Sequence, residues 1–223
     1  HCCYRNSKPL LSKFPTKSKD VLYNIDNKNI IGPSDDKLLK IDELGIPGEH
    51  NLQNFLAAST CSHLMGISQN QIVKSLKEFK GVEHRLEYVR TINDADYIND
   101  SKATNIDSVI VAINTYKQPI ILILGGLNKG ANFRLLLPHI KSSHVRDIVS
   151  YGDAGGQINT ALGDAVRSVQ VTDLSSAVKK AQLMAAPGDI VLLSPGCASY
   201  DEFSNFEERG NHFKSIIKSL AAS

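Results

Sequence analysis

The pattern of hydrophobic and polar positions changes character near residue 81. Before it, short extended stretches alternate with turns up to about residue 45, and two helical patterns follow. Ser68 and Gln71 have the spacing of a capping box and predict the start of the second helix. After residue 81, short apolar runs alternate with amphipathic helical segments. This rhythm predicts an α/β fold in which 82–223 form a Rossmann-like, doubly wound, mostly parallel sheet.

The apolar run at 119–124 is continuous, as expected of a parallel strand buried on both faces. The strands predicted in this region are 87–91, 96–99, 119–124, 144–150, 168–171 and 189–193. The predicted helices are 104–116, 133–140, 154–162, 173–184 and 205–221. In the first region we expect a hairpin over 21–31, a strand at 37–41 and a solvated loop at 12–20.

Three polar segments follow predicted strands, at 99–105, 125–130 and 194–201. The carboxyl ends of parallel strands lie at one edge of a sheet, where such folds bind ligands. We therefore expect the three segments to converge. The sequence Asn-Asp-Ser-Lys-Ala-Thr-Asn at 99–105 has two interpretations: helix capping, or an anion site at a helix N-terminus. The local sequence leaves both open.

The other polar positions also have a simple structural interpretation beside a functional one. Lys129 in Gly-Gly-Leu-Asn-Lys-Gly is either a charge for a carboxylate or phosphate, or a surface lysine on an ordinary turn. Ser199 is either a hydroxyl donor or a helix cap. Asn51 and Asn54 either cap a helix or hydrogen-bond the edge of a flat heteroaromatic ring, because each amide offers both a donor and an acceptor.

Composition narrows the class of protein. The 223 residues are 42% hydrophobic and 22% charged, values typical of a globular chain, with a net charge of +2. There is no dense basic stripe for nucleic acid, and no apolar run approaches the ~20 residues of a membrane helix. The four cysteines show no disulfide or zinc spacing, which favours reduced thiols in a cytoplasmic protein. The first residues lack a Met, so we expect the chain to begin inside a longer protein.

Neither GxGxxG nor GxSxG occurs, which disfavours a dinucleotide site and a hydrolase nucleophile. Cys197 as a nucleophile is disfavoured as well, since small cysteines are commonly buried.

The polar segments, taken together, resemble the Mur ligase family, and within it the branch that adds D-glutamate. The matching motifs are Gly48-x-His50-Asn51-x-x-Asn54-x-x-Ala57-Ala58, His84-Arg85-x-Glu87, the seven residues at 99–105, Gly125-Gly126-x-Asn128-Lys129-Gly130, and Ser194-Pro195-x-x-Ala198-Ser199-x-Asp201-x-Phe203-x-Asn205-Phe206-x-x-Arg209-Gly210. They occur in family order over about residues 21–220, and Gly196 replaces an expected Ala.

The resemblance implies an ATP-dependent ligase of three domains that works in peptidoglycan synthesis. Such an enzyme activates the carboxylate of UDP-N-acetylmuramoyl-L-alanine as an acyl phosphate. The amine of D-glutamate then attacks, giving an amide, ADP and phosphate. By motif position, the resemblance implies catalytic roles for Lys102, Thr104 and Lys129. It implies that D-glutamate contacts Lys102, Thr104, Lys129, Ser199, Tyr200 and Phe206, and that the nucleotide contacts Asn51 and Asn54 (adenine), Arg85 (phosphates) and Asp100 (ribose).

One departure from the family pattern sets the expected domain organisation. No GxxxxGK[ST] loop occurs to hold the triphosphate, and the resemblance places the Mg²⁺ ligands upstream of this chain. We therefore expect residues 1–81 to be the C-terminal part of the central ATP-binding domain and 82–223 the amino-acid-binding domain. We expect no metal ligand here, a monomer, and no ligase activity from this chain alone. The alternatives are a folylpolyglutamate-type ligase fragment and a stand-alone nucleotide- or amino-acid-binding module.

Overall fold

The chain divides into two compact units, 1–81 and 82–223. The computed structural model describes residues 23–46 and 48–220. The boundary between the units falls after Gly81, where the sequence pattern changes. Their assignment to particular ligase domains stays a prediction.

The first unit packs a small sheet against two helices. Its strands β1 (Asn24–Asp26), β2 (Asn29–Ile31) and β3 (Lys37–Lys40) form an antiparallel sheet in that order. The predicted hairpin is confirmed over the described strands, whereas residues 21–22 and the 12–20 loop lie outside the described residues. Helices α1 (Glu49–Leu64) and α2 (Gln69–Glu78) follow. The capping box at the start of α2 forms as predicted.

The second unit is built on a six-stranded sheet. Its strands are β4 (Glu87–Ile92), β5 (Ala95–Asn99), β6 (Ile120–Gly125), β7 (Val145–Tyr151), β8 (Arg167–Gln170) and β9 (Ile190–Gly196). The strand order is β4-β5-β9-β6-β7-β8, and only β4 runs antiparallel to its neighbour. The predicted mostly parallel sheet is confirmed. Ser194, Pro195 and Gly196, expected after the last strand, belong to β9, because its pairing with β6 continues to Gly196.

Helices cover both faces of this sheet. They are α3 (Ile106–Thr115), α4 (Leu137–Ser142), α5 (Gly155–Leu162), α6 (Leu174–Met184) and α7 (Phe206–Ser219). The first three pack on one face with alternate strand residues such as Leu122, and the last two pack on the other face with residues such as Ile121. The helix predicted at 133–140 is instead a 3₁₀ turn followed by α4, with Pro138 in the first turn of α4, where a missing N–H costs no helical bond.

The topology places a crevice at the carboxyl end of β9. This strand lies between β5 and β6. The chain leaves β5 and β6 towards one face of the sheet and leaves β9 towards the other. Where neighbouring connections diverge in this way, an open α/β sheet forms its ligand-binding crevice. Among residues 23–46 and 48–220, no helix combines the length and apolarity needed to cross a membrane.

Candidate functional site

The segments after β6 and β9 are joined directly. Leu127 and Ala198 form an antiparallel bridge, with N···O distances of 2.9 and 3.2 Å. Gly126 has a φ of 117°, and a Cβ there would overlap the carbonyl oxygen of Ala198. Glycine is therefore needed at 126 both for its backbone angle and for this close approach. The predicted convergence of the segments at 125–130 and 194–201 is confirmed.

Arg209 connects the segment at 99–105 to the segment at 194–201. Its side chain is fully buried, and its Nε and Nη2 donate to the hydroxyl and carbonyl oxygens of Ser101 at 2.9 and 2.8 Å. Its Nη1 donates to the carbonyl oxygen of Cys197 at 3.1 Å. Within the described part of the chain, no carboxylate forms an ion pair with this guanidinium. Arg209 thus places a buried positive charge against the loops of the crevice, and such a charge favours anions nearby.

The sequence-based list of site residues did not include Arg209. A signal for it exists, because Arg209, Phe213 and Ile217 recur at helical spacing on the buried face of α7. An arginine on an otherwise apolar face is rarely buried unless its donors are used. Here all three acceptors belong to the loops that form the site.

Two lysine side chains lie at the crevice, each beside an aromatic ring. Lys102 Nζ lies 5.3 Å from the centroid of the Phe206 ring, and Lys129 Nζ lies 4.6 Å from that of Tyr200. Both lysines are exposed. These distances are within the range of a cation–π interaction. The structure thus pairs four of the residues predicted to bind the amino acid, Lys102 with Phe206 and Lys129 with Tyr200.

Ser199 directly precedes Tyr200 and is buried, with 3% exposure. Its carbonyl oxygen accepts the N–H groups of Glu202 and Phe203 at 3.2 and 2.8 Å, which starts a turn. The cap of α7 is Asn205, whose Oδ1 accepts the N–H of Glu208 at 2.7 Å. The interpretation of Ser199 as a helix cap is therefore wrong, and its role as a hydroxyl donor stays a prediction.

The segment at 99–105 divides its residues between folding and the crevice. Asn105 caps α3 by accepting the N–H of Ser108 at 2.9 Å. Ser101 donates its hydroxyl to the carbonyl oxygen of Phe206 at 2.8 Å. Lys102 and Thr104 are exposed. One residue therefore supplies the cap, which leaves the lysine and the threonine available to a ligand.

The side chain of Asp100 is buried and hydrogen-bonded within the fold. Its side chain is 4% exposed, and its two oxygens accept the Leu86 N–H at 3.2 Å and the Ser194 hydroxyl at 2.8 Å. Burial raises the pKa of Asp100 to about 6, against the lowering effect of those two hydrogen bonds and of the Arg85 charge. The predicted ribose contact of Asp100 stays a prediction, as does the phosphate contact of the exposed Arg85.

His84 orders the segment that carries Arg85. Its buried ring places Nδ1 3.0 Å from the Asn99 amide nitrogen, and Glu87 Oε2 accepts both the His84 N–H and that amide at 2.9 Å. Burial and the Lys214 charge lower the pKa of His84, which favours a neutral ring whose Nδ1 accepts the Asn99 amide. Asn99, the first residue of the polar segment, is thus a structural partner of this histidine.

The ligand atoms of Glu83, His84 and Glu87 lie within 4.8 Å of one another, the one such group among the described residues. Lys214 Nζ donates to Glu83 and, at 3.2 Å, to Glu87. An ammonium on both carboxylates does not fit Mg²⁺, which needs six oxygen ligands in near-octahedral geometry. Glu83 and Glu87 instead form ion pairs with Lys214, which link α7 to the start of β4.

The predicted adenine contacts lie in the first unit. Asn51, in the first turn of α1, is 9% exposed, and Asn54 is exposed. A cavity of about 450 Å³, lined mainly by apolar residues such as Leu44 and Ile46, extends to Leu52 beside Asn51. The predicted nucleotide contacts are thus divided between the two units.

Comparison with known proteins shows the family of this chain. A family model described as the glutamate ligase domain of Mur ligases matches residues 84–197, more than half of the 223-residue chain. The chain is 47% identical over 181 residues to a UDP-N-acetylmuramoylalanine–D-glutamate ligase of Pelotomaculum thermopropionicum; the match covers 80% of this chain and 40% of that protein. The chain thus spans less than half the length of this curated relative.

Solved structures share the fold. A UDP-N-acetylmuramate–alanine ligase from Thermotoga maritima matches with a TM-score of 0.62 at 18% identity, covering 85% of this chain and 42% of that one. A Mycobacterium tuberculosis folylpolyglutamate synthase, complexed with ADP and AMPPCP, matches with a TM-score of 0.62 at 13% identity, covering 90% and 48%. At these identities the likeness shows the fold alone. From the family match, this chain belongs to the Mur ligase family.

Proposed function

We propose that this chain is the amino-acid-binding part of an ATP-dependent ligase that adds D-glutamate to UDP-N-acetylmuramoyl-L-alanine in peptidoglycan synthesis. The observation that carries the proposal is the pair of lysines, Lys102 and Lys129, beside Ser199 at the carboxyl edge of the sheet. The name and 47% identity of the Pelotomaculum relative support the same substrates. A folylpolyglutamate-type activity has only fold-level support, since that likeness is at 13% identity.

The charges fit an amino acid with two carboxylates. Lys102 and Lys129 each offer an ammonium to one carboxylate, and the hydroxyls of Thr104 and Ser199 add donors. The buried Arg209 charge lies beneath the same loops. Holding both carboxylates leaves the amine as the part of the ligand directed away from the cations. Orienting that amine is the main catalytic contribution we assign to this unit.

The proposed chemistry has two steps. The carboxylate of the UDP-linked substrate takes the terminal phosphoryl group of ATP, which releases ADP and forms an acyl phosphate. The amine of D-glutamate, without its proton, then attacks the acyl carbon, and phosphate leaves as the amide forms. Lys102 and Lys129 hold D-glutamate during the attack. Arg85, Asp100, Asn51 and Asn54 are proposed to contact the nucleotide.

The one group of clustered metal-ligating side chains among the described residues does not fit Mg²⁺, because its carboxylates are engaged by Lys214. We infer that the ion and the triphosphate are held by residues outside this chain. That this chain supplies no metal ligand, acts as a monomer and is cytoplasmic stays a prediction.

The experiment is an NMR titration of the uniformly ¹⁵N-labelled chain with D-glutamate. We expect weak binding, with a dissociation constant on the order of 1 mM or above, and shifts centred on Lys102, Lys129 and Ser199. Lys129→Met should abolish the shifts, and Lys141→Met, at an exposed lysine of α4, should leave them intact. Equal shifts with L-alanine and D-glutamate would refute the proposed specificity.

A second measurement separates a fragment from a complete module. Phosphate release from ATP, UDP-N-acetylmuramoyl-L-alanine and D-glutamate should stay at background with this chain alone. Turnover would contradict the expected dependence on residues outside the chain. Submicromolar binding of a nucleotide or an amino acid would support the stand-alone module.

A further inference from the structure

We propose that Tyr200 is a positioning residue for Lys129, holding its ammonium at the crevice before an anionic amino acid arrives. Tyr200 is 60% exposed, so its ring is not there to fill the core. Its ring centroid is 4.6 Å from Lys129 Nζ. The identity of the ligand rests on the proposed function, but the contact between ring and ammonium does not.

The backbone on both sides of this contact is fixed. Lys129 and Tyr200 each lie two residues beyond the bridged pair Leu127 and Ala198. Asn128 braces the lysine loop, since its Oδ1 accepts the Ala131 N–H at 2.7 Å and its Nδ2 donates to Gln157 Oε1 at 2.6 Å. With the backbone held, the remaining freedom of Lys129 is that of its long side chain. The Tyr200 ring restricts that freedom.

A second pair repeats the arrangement. Lys102 Nζ lies 5.3 Å from the Phe206 ring centroid, and the Phe206 carbonyl oxygen accepts the Ser101 hydroxyl at 2.8 Å. Both rings belong to one short stretch, 200–206, which starts at the turn made by Ser199 and ends in α7. The two rings that contact the lysines thus lie on a single stretch of chain. Two cations held in this way favour an amino acid with two carboxylates over one with a single carboxylate.

Prior ordering of the lysine should strengthen binding, because immobilising a long side chain on binding opposes affinity. An exposed cation–π contact is a small interaction, so removing the ring should weaken D-glutamate binding about two- to fivefold. Tyr200→Leu removes the ring and keeps an apolar side chain. Tyr200→Phe keeps the ring face and should bind D-glutamate with the affinity of the parent chain. Tyr88→Leu is the matched control, at a tyrosine with 58% exposure on β4.

The decisive readout needs no ligand. In the chain carrying ¹³C-labelled lysine, the ε-CH₂ protons of Lys129 should be shifted upfield by the Tyr200 ring current. Tyr200→Leu should remove that shift, whereas Tyr200→Phe and Tyr88→Leu should retain it. The Lys102 signals, next to Phe206, serve as an internal control and should not move in Tyr200→Leu.

The two readouts separate the possible failures. A Lys129 signal at the random-coil position in the unmodified chain overturns the positioning role, whatever ligand binds. An upfield signal that disappears in Tyr200→Leu supports the contact even if D-glutamate does not bind, in which case the proposed function fails by itself. If the signal depends on Tyr200 but D-glutamate binds the Leu variant with unchanged affinity, the contribution to binding is refuted.

Discussion

Replacing Arg209 with Lys tests whether this guanidinium holds the site loops together. The substitution keeps the positive charge but exchanges a planar fork of donors for a single ammonium. Arg209 reaches Ser101 with two nitrogens and Cys197 with the third, at 2.8 to 3.1 Å. These acceptors belong to different loops, so an ammonium placed near one leaves an acceptor on the other unpaired.

The magnitude follows from the number of bonds lost. A hydrogen bond from a charged donor contributes about 1.5–3 kcal/mol, so the loss of one or two should lower the free energy of unfolding of the second unit by about 2–5 kcal/mol. Since 1.4 kcal/mol is tenfold in an equilibrium constant, the protection of core amides should fall at least about 30-fold.

Native-state hydrogen exchange is the assay, because core strands report the unfolding of the unit that contains them. The amides of Leu122 in β6 and Leu192 in β9 should lose protection in Arg209→Lys, whereas Leu39, in the first unit, should not change. Arg134→Lys, at an exposed arginine, is the control and should match the parent chain. Protection of Leu122 and Leu192 that stays within about threefold of the parent value, under 1 kcal/mol, would refute the reasoning.

Three further predictions concern the same unit, each measured by urea titration. Burial raises the pKa of Asp100 from 3.8 to about 6. Between these pH values the folded state binds a proton at Asp100 that the unfolded state does not, so the free energy of unfolding falls as the pH rises through them. Asp100→Asn should reduce this pH-dependent loss of stability by up to about 3 kcal/mol. At Gly130, with φ of 91° and nothing within 4 Å of a Cβ, Ala should cost only backbone strain, about 1–2 kcal/mol. At Gly126 the added Cβ also meets a carbonyl oxygen, so Ala should cost about 1–3 kcal/mol more, and equal costs would contradict this. Burial acts to raise the pKa of Asp147, but hydrogen bonds from two arginines outweigh it and lower the pKa. The stability from this carboxylate should therefore be lost as the pH falls through that lowered pKa, and Asp147→Asn should cost about 1–3 kcal/mol at neutral pH.

Much of the fold was predictable from local patterns. A strand buried on both faces has to be apolar throughout, so the run that became β6 was recognisable by itself. Helix starts were predictable where a side chain caps its own helix, as with Ser68 before α2 and Asp173 before α6. Boundaries set by partners were not. The continuation of β9 through Gly196 depends on its pairing with β6, a strand far away in the sequence.

The sequence by itself determined which residue types are available at the site: cations, hydroxyls and glycines on segments that follow parallel strands. It left Ser199 open between a cap and a donor, and only the tertiary structure showed that Asn205 supplies the cap. It did not select Arg209, whose importance depends on acceptors about a hundred residues away in the chain, at Ser101. It gave no sign that Asp100 would be buried and bonded to Ser194. The physical reason is that burial and hydrogen bonding between distant segments depend on how the loops meet, whereas periodicity and capping are properties of neighbouring residues.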